Sequence, residues 1–128
     1  MRLWAQTLKN YMNINCFEKT SEWTVRENEE NLLYFQLVDA DKDNLRYISK
    51  ATVLTVDVTF PSIDDDSEFT VTASNPDVDD KSVFCITIPD DATPASGNFT
   101  VSVTEDGKTR KFVVLAGISV ELLNPGSC

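Results

Sequence analysis

Apolar and polar residues alternate along most of this chain, and this alternation is the feature that most restricts how the chain can fold. The run from Leu54 to Phe60 alternates without a break. A period of two is typical of a β-strand that has one buried face and one solvent face. The same period returns in the segments Leu33–Leu37, Phe84–Ile88 and Phe99–Val103, and in either Phe112–Val114 or Val113–Leu115. The pattern predicts an all-β protein, either a sandwich or a barrel of short strands.

Turn residues divide the chain into about eight predicted strands. These are Trp23–Val25, Leu32–Val38, Ala51–Phe60, Phe69–Thr72, Val83–Ile88, Phe99–Thr104, Thr109–Leu115 and Ile118–Leu122. The Asp-Gly pair at Asp106 and Gly107 lies between two alternating runs and predicts a tight hairpin. Turns separated by roughly 8–12 residues favour an antiparallel β-sandwich of about seven to eight strands, which we expect over residues 23–122.

Residues 1–22 differ from the rest because their apolar side chains follow no sustained period. We interpret them as an extended N-terminal arm whose aromatic side chains need a partner, either the sheet of the same domain or another chain. The candidate interface residues are Trp4, Leu8, Tyr11, Met12, Ile14 and Phe17, with Trp4 and Tyr11 as the expected anchors. Residues 123–128 are interpreted as a C-terminal tail.

The net charge of −10 argues against nucleic-acid binding and against docking on an anionic membrane, since both require a basic surface. The charge is unevenly distributed, because basic residues outnumber acidic ones four to two over residues 1–26. A basic front segment and an acidic body suit assembly between copies. A chance distribution explains the same numbers, and the sequence leaves both interpretations open.

The residues needed for common enzymatic chemistry are missing. The chain has no histidine, so neither a serine nor a cysteine nucleophile has the usual base. Its three cysteines form no C-x-x-C pair, which argues against zinc. The acidic runs 64–66 and 77–80 could supply paired carboxylates for glycoside hydrolysis, but consecutive aspartates are more typical of a solvated loop. We therefore predict a protein that is not an enzyme and has no cofactor.

The segment from Asp39 to Asn44 places aspartates at 39, 41 and 43, as at the start of a calcium-binding loop. The sixth position is Asn44 instead of glycine, and the twelfth is Lys50 instead of a bidentate glutamate. These departures favour a solvated turn, and we predict no metal site. Trp4 and Trp23 could stack on a sugar, but burial in a core or an interface is the more typical role of tryptophan.

The segment Val25–Asp39 resembles the opening of the immunoglobulin-like domain of phage baseplate upper proteins and related tail proteins. There a strand and an acidic or glycine turn precede an apolar strand that ends in aspartate. Leu45 and the run Ala51–Phe60 are similar to the leucine, the alanine and the long alternating strand that follow. Gly97–Val120 resembles the late glycine, alternating strand, Asp-Gly hairpin and closing strand. The resemblance covers residues 23–122, and the chain departs from it by the Asp-Asn pair at 43–44 and by its arm.

The resemblance implies an immunoglobulin-like β-sandwich that is a structural component of a bacteriophage virion, in the tail, baseplate or neck. The expected partners are other virion proteins and copies of the chain itself, with no nucleic acid and no membrane. Without a signal peptide or a run of about 20 apolar residues, we expect a virion protein assembled in the host cytoplasm. A different class, a carbohydrate- or receptor-binding module assisted by calcium at Asp39, Asp41 and Asp43, stays open as the alternative.

Overall fold

A computed structural model describes residues 3–9, 18–39, 47, 49–64, 67–75 and 82–121 of the chain. Nine strands form within these residues. They are β1 (Leu3–Lys9), β2 (Glu18–Lys19), β3 (Trp23–Arg26), β4 (Asn31–Asp39), β5 (Leu54–Pro61), β6 (Glu68–Thr72), β7 (Val83–Ile88), β8 (Gly97–Glu105) and β9 (Lys108–Glu121). The described residues contain no helix, so the predicted all-β class is confirmed.

The strands form two sheets that pack face to face. The first sheet has the order β2-β1-β4-β7, and the second has the order β3-β9-β8-β5-β6. Strand β4 lies beside β7 in one sheet, while β5, β8 and β9 are neighbours in the other. This is the strand order of immunoglobulin-type sandwiches. All pairs are antiparallel except β3 with β9, which run parallel from Trp23 opposite Ile118 to Arg26 opposite Glu121.

The alternating side chains meet between the two sheets and form one core. Trp23 lies at its centre, stacked on Phe99 at 4.7 Å between ring centroids and edge-on to Phe35 at 5.9 Å. Its indole N–H donates to the backbone oxygen of Tyr34 at 2.7 Å, which satisfies the polar atom that burial of a tryptophan leaves. Trp23 therefore has a packing role and is not available to stack on a sugar.

The predicted Asp-Gly hairpin joins β8 and β9. Asp106 and Gly107 both have positive φ, 48° and 87°, as a two-residue turn of this kind requires. The strand after the turn differs from the prediction, because the run Thr109–Leu115 and residues 118–121 of the second predicted run are parts of the single strand β9. Gly117 lies within this strand. Glycine is required there because a Cβ would meet the ring of Phe99 and the side chain of Val114.

The N-terminal segment also differs from the expected arm. Residues 3–8 pair with β4 from Leu3 opposite Asp39 to Leu8 opposite Tyr34, so β1 lies inside the first sheet. Lys9 and Leu8 pair in turn with the short strand β2. The inward positions of β1 include the small or polar residues Ala5 and Thr7, both buried, and this removes the apolar period that would reveal a strand. Residues 10–17 and 122–128 lie outside the described residues.

Candidate functional site

Two of the six predicted interface residues lie in the described part of the chain. Trp4 and Leu8 occupy alternate positions of β1, on the face of the first sheet that points away from the core. Trp4 is 41% exposed and Leu8 only 5% exposed, so of the two only Trp4 offers a surface to another molecule. The other four, Tyr11, Met12, Ile14 and Phe17, lie outside the described residues.

Leu8 belongs to a second apolar cluster on that outer face, together with Tyr34, Val83 and Cys85. The sequence hides this cluster, because β4 is apolar at both its inward and its outward positions. Burial raises the pKa of Tyr34 above its ordinary value of 10.0, and the neighbouring Cys85 thiolate raises it further. The Cys85 sulfur lies 3.3 Å from the Ser74 hydroxyl, where residue 74 forms an isolated bridge to β7. The cluster has a structural role and offers no reactive pair.

A recess of about 370 Å³ opens where β1, β3 and β4 meet. Its lining includes Leu8, Leu32 and Leu33 with the hydroxyls of Thr20 and Thr24. The ionisable group in this lining is Glu22, which has no second carboxylate or base beside it in the recess. The volume lies at the lower end of the range for small-molecule sites, but the lining lacks the converging polar groups that fix a ligand.

The outer face of the second sheet is lined by hydroxyl groups instead of aromatic rings. They belong to Thr55, Thr59, Thr70, Thr72, Thr100, Ser102, Thr104 and Thr109. Several of these hydroxyls bind each other across strands, including Thr59 with Thr70 at 2.8 Å and Thr104 with Thr109 at 2.9 Å. Sugar-binding faces usually stack a ring on an aromatic side chain, and Trp4 is the exposed aromatic residue of the described part.

The tip of the β8–β9 hairpin holds a second, charged recess of about 290 Å³. Lys50, Lys108 and Arg110 line it with Glu105 and Asp106. Both carboxylates have structural partners. Asp106 accepts the backbone N–H groups of residues 52 and 53 at 3.2 and 2.8 Å, and Glu105 accepts the hydroxyl of residue 49 at 3.0 Å. These hydrogen bonds connect the hairpin to the segment that precedes β5, and basic side chains border the recess.

Strand β9 carries exposed apolar side chains on the stretch whose outer side pairs with no described strand. Val113 is 54% exposed and Leu115 is 74% exposed, both on the outer face, while Phe112 and Val114 pack inward against the core. Sequence reasoning did not select Val113 and Leu115 as interface residues. The sequence did indicate them, because residues 112–115 are all apolar and either Phe112 with Val114 or Val113 with Leu115 could be the buried pair. A strand that is apolar on both faces leaves one apolar face for a partner.

The predicted acidic candidates do not form a site in the described part of the chain. Asp39 is 1% exposed at the end of β4, inside a sheet instead of in an open loop, while Asp41 and Asp43 lie outside the described residues. Of the two acidic runs, Asp64 is described and exposed, and residues 65–66 and 77–80 are not described. No group of three metal-binding side chains occurs among the described residues. These residues also contain no helix long and apolar enough to cross a membrane.

No protein-family model matches the chain, and no curated protein matches it.

Proposed function

We propose that this chain is a non-enzymatic structural subunit of a bacteriophage virion, of the tail, baseplate or neck, that assembles through its sheet edges and outer faces. The observation that carries the proposal is the pair of exposed apolar residues, Val113 and Leu115, on a stretch of β9 whose outer side pairs with no described strand. Exposed apolar groups at an unpaired strand edge favour association and are avoided in proteins that stay monomeric. The sandwich fold and the resemblance to baseplate proteins agree with this role.

The assembly surface that we propose differs from the arm expected from the sequence. Because β1 pairs within the first sheet, residues 3–9 contribute Trp4 as their exposed aromatic side chain, while the expected interface residues Tyr11, Met12, Ile14 and Phe17 lie outside the described residues. Tryptophan is a frequent energetic centre of protein interfaces. Trp4 on one outer face and Leu115 on the other lie on the two sheets of the same sandwich, so one subunit can contact more than one neighbour.

A mass-spectrometric census of purified particles tests the proposal. Particles are isolated by density gradient from the culture in which the chain is made, and its abundance is compared with that of the particle-free lysate. We expect the chain to be enriched with the particles in a fixed ratio to other virion proteins. Abundance in the lysate together with absence from intact particles would contradict a structural role.

A second candidate, a carbohydrate- or receptor-binding module, rests on Trp4. The amides of Gln6 and Gln36 lie opposite each other on the same outer face, two residues along the strand from the indole. Their Nε2 atoms are engaged, Gln6 with the backbone oxygens of residues 7 and 20 and Gln36 with the hydroxyl of Ser82. A glycan array with the wild type and Trp4→Ala distinguishes the candidates, since only the binding module predicts a signal that the variant loses.

A further inference from the structure

The second sheet has two edges that are open within the described residues. On one side, β3 pairs only with residues 118–121 of β9, so no described strand hydrogen-bonds the outer side of β9 from Lys108 to Gly117. On the other side, β6 pairs with β5 and has no second strand along Glu68–Thr72. An unpaired strand presents backbone N–H and C=O groups that another strand can bind.

Alternate residues of β9 direct their backbone groups toward the open side. Glu105 and Lys108 flank a two-residue turn and are therefore a hydrogen-bonded pair. Pairs then alternate along the ladder, so Thr109, Lys111 and Val113 direct their N–H and C=O groups away from β8. The open side of β9 thus combines free backbone groups with the exposed side chains of Lys111 and Val113.

The two edges carry opposite charge. Residues 107–120 contain no acidic residue and include Lys108, Arg110 and Lys111, all exposed. Residues 51–80 contain no lysine or arginine. In this segment Glu68 lies on β6, and Asp57 lies on the neighbouring strand β5, opposite Thr72 of β6. The hydroxyl of Thr72 donates to Asp57 at 2.7 Å and holds that carboxylate at the β6 side of the sheet. One edge of the sheet is therefore basic and the other acidic.

We infer that copies of this chain join edge to edge, with β9 of one copy pairing with β6 of the next. The inference rests on the proposed function, of which it specifies the partner as a second copy and the surfaces as these two edges. Across the sheet, β6 runs opposite to β9, so copies in the same orientation meet as an antiparallel pair and the sheet continues from one copy to the next.

Pairing of unlike edges is favoured over symmetric pairing by charge. Joining β9 to β9 places two basic edges side by side, and joining β6 to β6 places two edges side by side that carry carboxylates and no basic residue. Like charges placed opposite each other in an interface are costly. Contact between unlike edges is heterologous, so it leads to a ring or to an open filament instead of a closed dimer.

The association is expected to be weak in solution. The overlap is limited by the five residues of β6, and a short strand pair buries much less than the area of about 1,200 Å² or more that stable complexes bury. Exposed charges supply part of the attraction, and salt screens them. Self-association should therefore rise with protein concentration and fall as salt is added.

A charge exchange between the edges tests the inference with the full chain. The variants Lys111→Glu and Glu68→Lys each reduce the difference in charge between the two edges of one copy, and both sites are exposed. Sedimentation velocity over a concentration series should show self-association of the wild type at low salt and at least about tenfold weaker association of each variant. An equimolar mixture of the two variants should associate more strongly than either variant alone, because one of its junctions joins the unaltered β9 edge of one variant to the unaltered β6 edge of the other.

Lys19→Glu serves as the matched control. It makes the same change in net charge as Lys111→Glu, at an exposed site on β2 of the other sheet, and we expect it to associate like the wild type. Thermal melting of every variant establishes that each is folded. Equal association of both edge variants and wild type, failure of the mixture to recover, or equal loss in Lys19→Glu would overturn the inference.

A wild type that stays monomeric at every concentration would also overturn it. The proposed virion role would still be tested separately by the particle census. Sedimentation velocity therefore reports on edge-to-edge pairing alone, and the census reports on the proposed function.

Discussion

Val56 and Asp57 are adjacent on β5 and have opposite surroundings. Val56 is 2% exposed in the core, while Asp57 lies on the outer face and accepts the Thr72 hydroxyl. Val56→Asp places an unpaired carboxylate in the core, and we expect a loss of about 4 kcal/mol or more in the free energy of unfolding. Asp57→Asn keeps the accepting oxygen and should change it by less than about 1 kcal/mol.

Urea denaturation followed by circular dichroism measures both variants. Equal midpoints for the two would mean that the register of β5 is displaced by one residue, since such a shift exchanges the two faces of a strand.

Tyr34 gives the sandwich a dependence on alkaline pH. Burial, followed by the charge of the Cys85 thiolate, raises the pKa of its hydroxyl above 10.0, so the folded state holds this proton more tightly than the unfolded state. The stabilisation is complete below the unfolded pKa and is lost as the pH rises through the folded pKa. We expect the free energy of unfolding of the wild type to fall more steeply above about pH 10 than that of Tyr34→Phe.

Urea midpoints of both proteins across the alkaline range measure this effect, with each curve referred to its own value at neutral pH. Referring each curve to neutral pH removes any difference in packing between the two proteins. Comparing the two curves then removes the effect of lysine titration, which both proteins share. Parallel curves for the two proteins would show that Tyr34 does not contribute.

At the scale of the element, β1 is the strand whose role the structure redefines. It pairs with β4 over six residues and adds Ala5 to the main core and Leu8 to the outer cluster. Burying a leucine stabilises by about 1.5–3 kcal/mol, and each net hydrogen bond contributes about 0.5–1.5 kcal/mol. Deleting residues 1–20 should therefore lower the melting temperature by about 10 °C or more, or prevent folding.

Deletion of residues 1–2, which precede β1, is the control and should leave the melting temperature close to that of the wild type. Calorimetry or circular dichroism compares the three chains. A truncation at residue 20 that melts with the wild type would restore the arm interpretation, in which residues 1–22 act only between molecules.

At the scale of the whole molecule, charge separates the two ends of the sandwich. The turns after β3, β5 and β7 lie at one end and hold Glu29, Glu30, Asp64, Asp90 and Asp91 in the described part. The β8–β9 hairpin lies at the opposite end with its basic side chains. A net charge of −10 concentrated in this way repels itself and favours contact with basic surfaces.

The same charge distribution predicts how the protein responds to calcium. Screening of acidic end charges by any divalent cation should raise stability slightly, whereas a specific site would stabilise by mass action. We expect calcium and magnesium at equal millimolar concentration to shift the melting temperature equally, within about 2 °C. A larger shift with calcium would support the binding-module alternative at Asp39, Asp41 and Asp43.

The sequence by itself determined the class of fold and most of the strands. Strand periodicity is a local property, so β4 to β8 follow from alternation and turn residues close to their observed bounds. The Asp106–Gly107 turn follows for the same reason, because positive φ is a preference of these two residues themselves. Val56 as an inward residue also follows from a local pattern of period two.

Only the tertiary structure decided how the strands are arranged and which surfaces remain open. β1 has no apolar period because its inward positions at Ala5 and Thr7 are filled by small residues, and its place depends on β4, far along the chain. The parallel pairing of β3 with β9 and the course of β9 through Gly117 depend on contacts with Phe99 and its neighbours. Strand partners are set by long-range packing, so the opposite charges of the two sheet edges appear only when the strands are assembled.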